Sequence, residues 1–318
     1  MSFMIDEQII DYVAENFGKV ECQKLKNIHQ GGRNNNKGRD YENYFQLFKV
    51  FELASQDDID LDNQLLGMQV LGFVDDICHI DNEKRIKYNY QAKNSSGSAA
   101  DWTVDISDRF DKQRLVDIHC YHMRKTHNYL LVSDKVKAAQ NLTKIPHRLK
   151  NIDTCQHFAY YLTLVELINE TELSTYISKL IVNNNRSNID YAAKLILGVM
   201  QANHYHSVTD IFKQAQTEGH PNPFVKFRPQ DDSVAIPSWV QQILTDASQH
   251  ITYRLEYNIL TIALNTGLVV SVDITLLNQV SKPHRVQIYT IQDLLHLSMS
   301  IAAQNLNQPL SAARNGAI

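Results

Sequence analysis

The sequence predicts a mixed α/β domain over residues 1–148, a central mixed sheet flanked by helices, followed by an all-helical domain over 149–318. Three observations lead there. In the first part, short β-prone runs alternate with amphipathic stretches, the pattern of a sheet with helices on its faces. Beyond Pro146, apolar residues recur at helical spacing almost continuously: Phe158, Tyr161, Leu162, Val165 and Ile168, then Ile189, Ala192, Leu195, Ile196 and Val199. At 318 residues the chain is long enough for two ordinary domains, with 43% hydrophobic and 21% charged residues, the balance of a globular protein.

The elements follow in order. Ile5, Ile9, Ile10, Val13 and Phe17 have helical spacing and stop at Gly18. His29 to Gly38 reads as a flexible loop by composition. Asp40 then stands near the N-cap of a helix whose apolar face is Phe45, Phe48, Val50, Phe51 and Leu53, with Glu42 in its first turn. After an acidic linker (Asp57, Asp58, Asp60, Asp62), Met68–Val74 and Ile86–Tyr90 read as neighbouring strands. A small-residue loop from Asn94 leads to a helix over Ile106 to about Met123, and Tyr129–Ser133 is the next strand. In the second half the helical pattern resumes at Trp239, Ile243, Leu244, Ile251, Leu255, Ile259 and Ile262. It returns at Ile291, Leu294, Leu295 and Ile301, with a loop from Glu218 to Pro237 dividing the region. Long amphipathic helices without a chemical constellation serve packing, oligomerisation or partner docking.

The chemistry concentrates at the two neighbouring strands. Asp75-Asp76 closes the first, and Tyr90-Gln91-Ala92-Lys93 closes the second. Side by side, they bring a carboxylate to a Gln-x-Lys triplet. A hard divalent cation prefers carboxylate, carbonyl and water oxygens, and can neutralise charge on a phosphodiester while activating water. Residues i and i+2 of a strand share a face, so Gln91 and Lys93 point together while Ala92 points away. Ala92 still has a backbone carbonyl to offer the metal. Lys93 suits holding the attacking water or neutralising developing charge. Gln91 adds no charge, so Asp76 carries most of the metal binding, with Asp75 as the alternative acid and Glu42 supplying another carboxylate from its helix.

In this order the pieces resemble the PD-(D/E)XK nuclease superfamily, and within it the Mrr-like, Gln-x-Lys double-stranded DNA nuclease domain of bacterial antiphage systems. The matching residues are Gly38-Arg39-Asp40-Tyr41-Glu42, then Asp76, then Tyr90-Gln91-Ala92-Lys93, with Tyr129-Leu130-Leu131-Val132-Ser133-Asp134 as the strand after the core helix. The resemblance covers roughly residues 30 to 145. It implies a restriction-endonuclease-like domain with Mg²⁺ or Mn²⁺ as cofactor and double-stranded DNA as substrate. It further implies an effector subunit of an antiphage complex, partnered by a sensor or ATPase that restrains the site until activation. Clustering or homo-oligomerisation would deliver two cuts for a double-strand break.

Charge and composition bound the alternatives. The net charge is −4, unusual for a stand-alone DNA binder. Basic residues nonetheless flank the proposed site in two runs, Lys19 to Arg39 and Arg109 to Lys150. Arg33, Lys37, Arg39, Arg109, Lys112 and Arg114 are therefore the candidate phosphate contacts. No apolar run approaches the ~20 residues of a membrane span, and the N-terminus lacks signal-peptide character, so a cytoplasmic address and no membrane partner are expected. Cys22, Cys78, Cys120 and Cys155 are scattered and read as reduced, buried thiols. His119-Cys120-Tyr121-His122 lacks a matching half-site for zinc. A rival reading takes Arg114 and His119 as the Arg-x4-His pattern of metal-independent, HEPN-type ribonucleases. A second rival keeps the nuclease fold but as a degenerate DNA-binding or assembly module.

Overall fold

The computed structural model describes residues 5–33, 36–181, 184–201, 205–219, 223–224, 235–256 and 258–306. The chain divides into two compact units, Met1–Ile177 with Ala193–Ala215, and Ser178–Ala192 with Gln216–Ile318.

The first unit begins with α1 (Ile5–Phe17) and α2 (Lys19–Arg33), which turn about Gly18 at φ 86°, a left-handed conformation open to glycine. Next comes α3 (Asn36–Ala54), then the antiparallel meander β1 (Gln64–Met68), β2 (Ile77–Asp81) and β3 (Ile86–Lys93). Helix α4 (Val104–His119) crosses over to β4 (Lys125–Val132), which runs parallel to β3. Thr103 caps α4 by accepting from the Ile106 N–H at 3.2 Å. Helix α5 (Lys135–Lys144) then leads to β5 (Asp153–His157), parallel to β4. After α6 (Leu164–Glu170), α7 (Leu173–Ser178) and α8 (Arg186–Gln201), β6 (Tyr205–Ser207) pairs antiparallel with β1, and α9 (Val208–Glu218) follows. The sheet order is β5-β4-β3-β2-β1-β6. Helices flanking a mixed sheet are thus what the structure shows for this part of the chain.

Strand alternation in β3 gives the sheet two unlike faces. On one, Tyr90 stacks with Tyr129 (4.8 Å) and meets Phe45 of α3 edge-on (4.9 Å). On the other, Lys87 and Asn89 meet α4: Lys87 Nζ lies 2.6 Å from Asp117 Oδ1, and Asn89 donates to Asp117 Oδ2 at 2.7 Å. The polar contacts continue through Asn128 to Asp153, to which Arg114 Nη2 donates at 2.7 Å on both oxygens. Lys87 and Asp117 are 1% and 0% exposed, so each charge depends on its partner. Burial alone would lower the Lys87 pKa, but the Asp117 carboxylate outweighs it and the ammonium is held charged.

Four expectations are corrected here. The loop expected over His29 to Gly38 is helical through Arg33 and again from Asn36, while residues 34–35 fall outside the described residues. Helix α3 consequently starts at Asn36, so Asp40, expected near the N-cap, lies in its interior. The strand before the acids is Gln64–Met68; the expected strand over Met68–Val74 is an irregular excursion that buries Val70, Leu71, Phe73 and Val74, with no strand partner from Leu71 to Val74. Finally, β5 and β6 lie beyond residue 148 and still complete the first sheet: the α5 crossover returns the chain parallel to β4, and β6 adds antiparallel to β1 at the other edge.

The second unit is not all helical among its described residues. Helix α10 (Ser238–Asp246) precedes β7 (Ile251–Glu256), β8 (Ile259–Leu264) and β9 (Val269–Asp273), an antiparallel sheet in that order. Helices α11 (Ile274–Gln279), α12 (Lys282–Arg285) and α13 (Ile291–Leu306) follow. Ile251, Leu255, Ile259 and Ile262 fit a helical period, but Asn258 at φ 64° and Gly267 at φ 94° turn the chain, and β-branched residues fill the strands. The core joins Val240, Leu244, Leu260, Ile262, Ile274 and Leu294. Most of the expected Glu218–Pro237 loop lies outside the described residues. Among the described residues no helix is long and apolar enough to cross a membrane.

Candidate active site

The acids are delivered by the excursion between β1 and β2. Its neck is closed by two backbone bonds, Gln69 N–H to the Asp76 carbonyl (3.0 Å) and Val70 N–H to the Asp75 carbonyl (2.9 Å). Gln69 takes φ 50°, a left-handed conformation that is uncommon outside glycine. Asp75 and Asp76 return from this excursion buried, at 3% and 7% exposure.

The register of β2 on β3 pairs Ile77 with Tyr90, which puts Asp76 opposite Gln91 one step further on. Asp76 Oδ2 accepts from the Gln91 side-chain amide and, at 2.7 Å, from the Ala92 N–H. Gln91 Oε1 in turn accepts from Arg109, whose guanidinium also lies 3.7 Å from Asp75. The geometry thus distinguishes the two acids: Asp76 meets the Gln-x-Lys strand, and Asp75 meets Arg109. Glu42, 8% exposed on α3, accepts from Gln69 Nε2 at 2.8 Å. Half-buried Lys93 completes the group, its charge acting on both Asp76 and Glu42.

The carboxylates are under electrostatic stress. Burial, reinforced by the Asp76 charge, pushes Glu42 up to about 7 and Asp75 up to about 8. Asp76 is also raised by burial, against the opposing pull of Lys93 and the Ala92 N–H. Three carboxyl groups held above their ordinary range in one place favour a proton or another cation nearby.

How well does a divalent metal fit? Carboxylate oxygens from Glu42 and Asp76 have the hard-donor chemistry that Mg²⁺ or Mn²⁺ takes. Asp75 Oδ2 is buried without a hydrogen-bond partner, a further oxygen in want of a positive group. The side chains are nevertheless closed on one another. Among the described residues no group of three or more His, Cys, Asp or Glu is disposed to hold a metal ion. Gln91 turns its nitrogen to Asp76 and its oxygen to Arg109, and Ala92 meets Asp76 through its N–H, where an amide oxygen and a carbonyl had been expected as ligands. The donor chemistry fits: Gln91 and Ala92 both occupy Asp76 Oδ2, which leaves Oδ1 as the oxygen for a metal.

The expected phosphate contacts are placed unevenly. Arg39 is exposed one helical turn before Glu42. The side chains of Arg33 and Lys37 lie outside the described residues. Arg109 is 9% exposed and bound inside the site, Lys112 pairs with Glu21 (2.8 Å) and Asp108 (2.7 Å), and Arg114 is engaged by Asp111 and Asp153. These three are therefore neutralised within the protein. The Arg114 and His119 pair is not assembled either: five residues apart on α4 they point roughly 140° from each other, and His119 stacks on Tyr12 at 5.0 Å. All four cysteines are free and buried.

Sequence reading missed Gln69 and the inward role of Arg109. For Gln69 no local signal exists, because its part depends on a left-handed turn. For Arg109 the signal was its four-residue spacing to Gln113 and Asp117, a polar stripe on a helix that also buries Ile106, Phe110 and Val116. Comparisons with protein-family models, with curated proteins and with solved structures found no match to this chain.

Proposed function

We propose that the first unit is a metal-dependent phosphodiesterase of the PD-(D/E)XK type, a DNA endonuclease. The observation that carries this reading is the convergence of Glu42 on α3 with Asp76, Gln91 and Lys93 of the β2–β3 hairpin at one end of the central sheet. A bound Mg²⁺ or Mn²⁺ would supply Lewis-acid charge at the phosphate and lower the pKa of a coordinated water. Glu42 and Asp76 are the residues to hold it, with Asp75 at hand.

The chain's own residues perform the remaining tasks. Lys93 projects from the same strand face as Gln91, where its ammonium can orient the attacking water and balance the charge of the pentavalent phosphorane. Arg109 fixes Gln91 and offsets Asp75, so the strand carrying Lys93 is held against the acids. Arg39, exposed one turn from Glu42, is positioned to meet a phosphate of the backbone.

The hydrogen bonds of Gln91 and Ala92 on Asp76 Oδ2 support a subunit of low resting activity, raised when a partner or clustering rearranges the site. The role as effector in an antiphage complex, with a sensor or ATPase bound elsewhere on the chain, rests on the sequence resemblance. A second reading is a degenerate module that binds DNA or assembles without cutting it; the amide nitrogen of Gln91 occupying Asp76 is the observation in its favour.

The test is cleavage of plasmid and linear duplex DNA with Mg²⁺ over a range of protein concentrations, wild type against Lys93→Ala. Cutting by wild type alone, abolished by EDTA, is the expected result. Equal cutting by both proteins would remove Lys93 from the mechanism. Specific DNA binding without cutting at any concentration, with or without co-purifying partners, would favour the degenerate module.

A further inference from the structure

Beyond the carboxylates and Lys93, the acids depend on something that holds their irregular excursion in place. It has no strand partners of its own between Leu71 and Val74, so its backbone polar groups must be satisfied elsewhere. Helix α4 supplies them. Gln113 Oε1 accepts from both the Phe73 N–H (2.7 Å) and the Val74 N–H (3.1 Å). One turn earlier, Arg109 Nε donates to the Phe73 carbonyl at 2.7 Å. The Phe73 residue is thus gripped at its N–H and its C=O by two side chains of one helix.

We infer that Arg109 and Gln113 are positioning residues, a two-point clamp on the Phe73 backbone that sets Asp75 and Asp76 against the Gln91–Lys93 strand. The inference rests on the reading of Asp76 as a metal-binding acid, and it names what aims that acid.

The clamp is itself braced. Gln113 is 0% exposed, and its Nε2 donates to Asp117 Oδ1 at 2.7 Å. Asp117 is tied to β3 by Lys87 (2.6 Å) and Asn89 (2.7 Å). Residues 109, 113 and 117 recur every four positions along one side of α4. The stripe therefore links the floor of the sheet to the acidic turn through charged and amide groups, each of which has few alternative orientations. Gly72 shows how tight the approach is: a Cβ there would lie 2.6 Å from Gln113 Oε1.

A buried glutamine satisfying two amides would also be needed for stability alone, so the test requires readouts that stability does not move. Gln113→Met keeps length and removes the acceptor. Asn141→Leu serves as a comparison, because Asn141 on α5 is an equally buried amide, accepting from the Trp102 N–H and donating to the Ala100 carbonyl. Amide hydrogen exchange and Mn²⁺ titration are measured on the full chain. In Gln113→Met, exchange should accelerate at Phe73 and Val74 while β3 stays protected, and the Mn²⁺ dissociation constant should rise about tenfold, as for loss of a ligand-orienting group. Asn141→Leu should leave both unchanged. Should Gln113→Met fail to fold, Gly72→Ala displaces the same amide from the other side and should weaken Mn²⁺ alike.

Unchanged exchange at Phe73 and Val74 in the variant would overturn the clamp, as would Mn²⁺ affinity equal to wild type. If wild type itself binds no Mn²⁺, the metal reading of the site fails, while the exchange data still decide whether Gln113 holds the turn.

Discussion

Replacing Glu42 with glutamine should make the protein more stable and inactive at once. Glu42 is 8% exposed, and burial with the neighbouring Asp76 charge lifts its carboxyl from 4.5 to about 7. An acid whose folded pKa lies above its unfolded value binds its proton more tightly in the native state. Folding is therefore unpenalised below pH 4.5 and loses stability as pH rises to about 7, beyond which the full cost stands. A shift of this size corresponds to roughly 3 kcal/mol at 1.36 kcal/mol per pH unit. Part of it is repulsion shared with Asp76, so about 2 kcal/mol is a fair expectation for removing one charge. The amide retains an oxygen to accept from Gln69 Nε2, so that donor keeps its partner. For a unit of this size the melting temperature should rise by roughly 4–8 °C. The assay is thermal unfolding at pH 8 and at pH 4.5, wild type against Glu42→Gln. The gain should appear at pH 8 and vanish at pH 4.5, and Mn²⁺ should raise the melting temperature of wild type more than that of the variant. Destabilisation at pH 8, or a gain independent of pH, would refute the electrostatic account of the site.

Three further outcomes follow from contacts already described. Lys87→Met leaves Asp117 buried at 0% exposure without its cation, and chemical denaturation should show a loss of about 3–5 kcal/mol. Arg114→Ala removes the partner of buried Asp153; stability should fall by about 3 kcal/mol while DNA affinity measured on folded protein stays within twofold, and a selective loss of DNA binding would restore Arg114 as a phosphate contact. His79 is pushed down to about 3 by burial and by Lys49, so the unfolded chain binds a proton that the native state refuses between pH 6.5 and about 3. Stability should decline across that window as pH falls, by up to ~1.4 kcal/mol per unit, and His79→Gln should flatten the decline in urea titrations.

Much of this protein could be read along the chain. Helix α4, strands β3 and β4, and the order Glu42, Asp76, Gln91, Lys93 came from sequence, because periods of 2 and 3.6 residues are local properties of the backbone. So did the pairing of the acid with Gln-x-Lys, since residues joined by a short hairpin must meet. The sequence favoured Asp76 and left Asp75 as an alternative; the tertiary contacts set them apart, Asp76 on the Ala92 N–H and Asp75 beside Arg109. Tertiary structure alone decided that Arg109 and Arg114 point inward, because their partners Gln91 and Asp153 lie 18 and 39 residues away. It also decided that Ile251–Glu256, Ile259–Leu264 and Val269–Asp273 are strands, since strand pairing rewards contacts that a helical period in one segment cannot reveal. Side-chain type and spacing are written in the sequence. Burial and the choice of partner are set only when distant segments pack, and they determine whether a charge is a site, a brace or a surface.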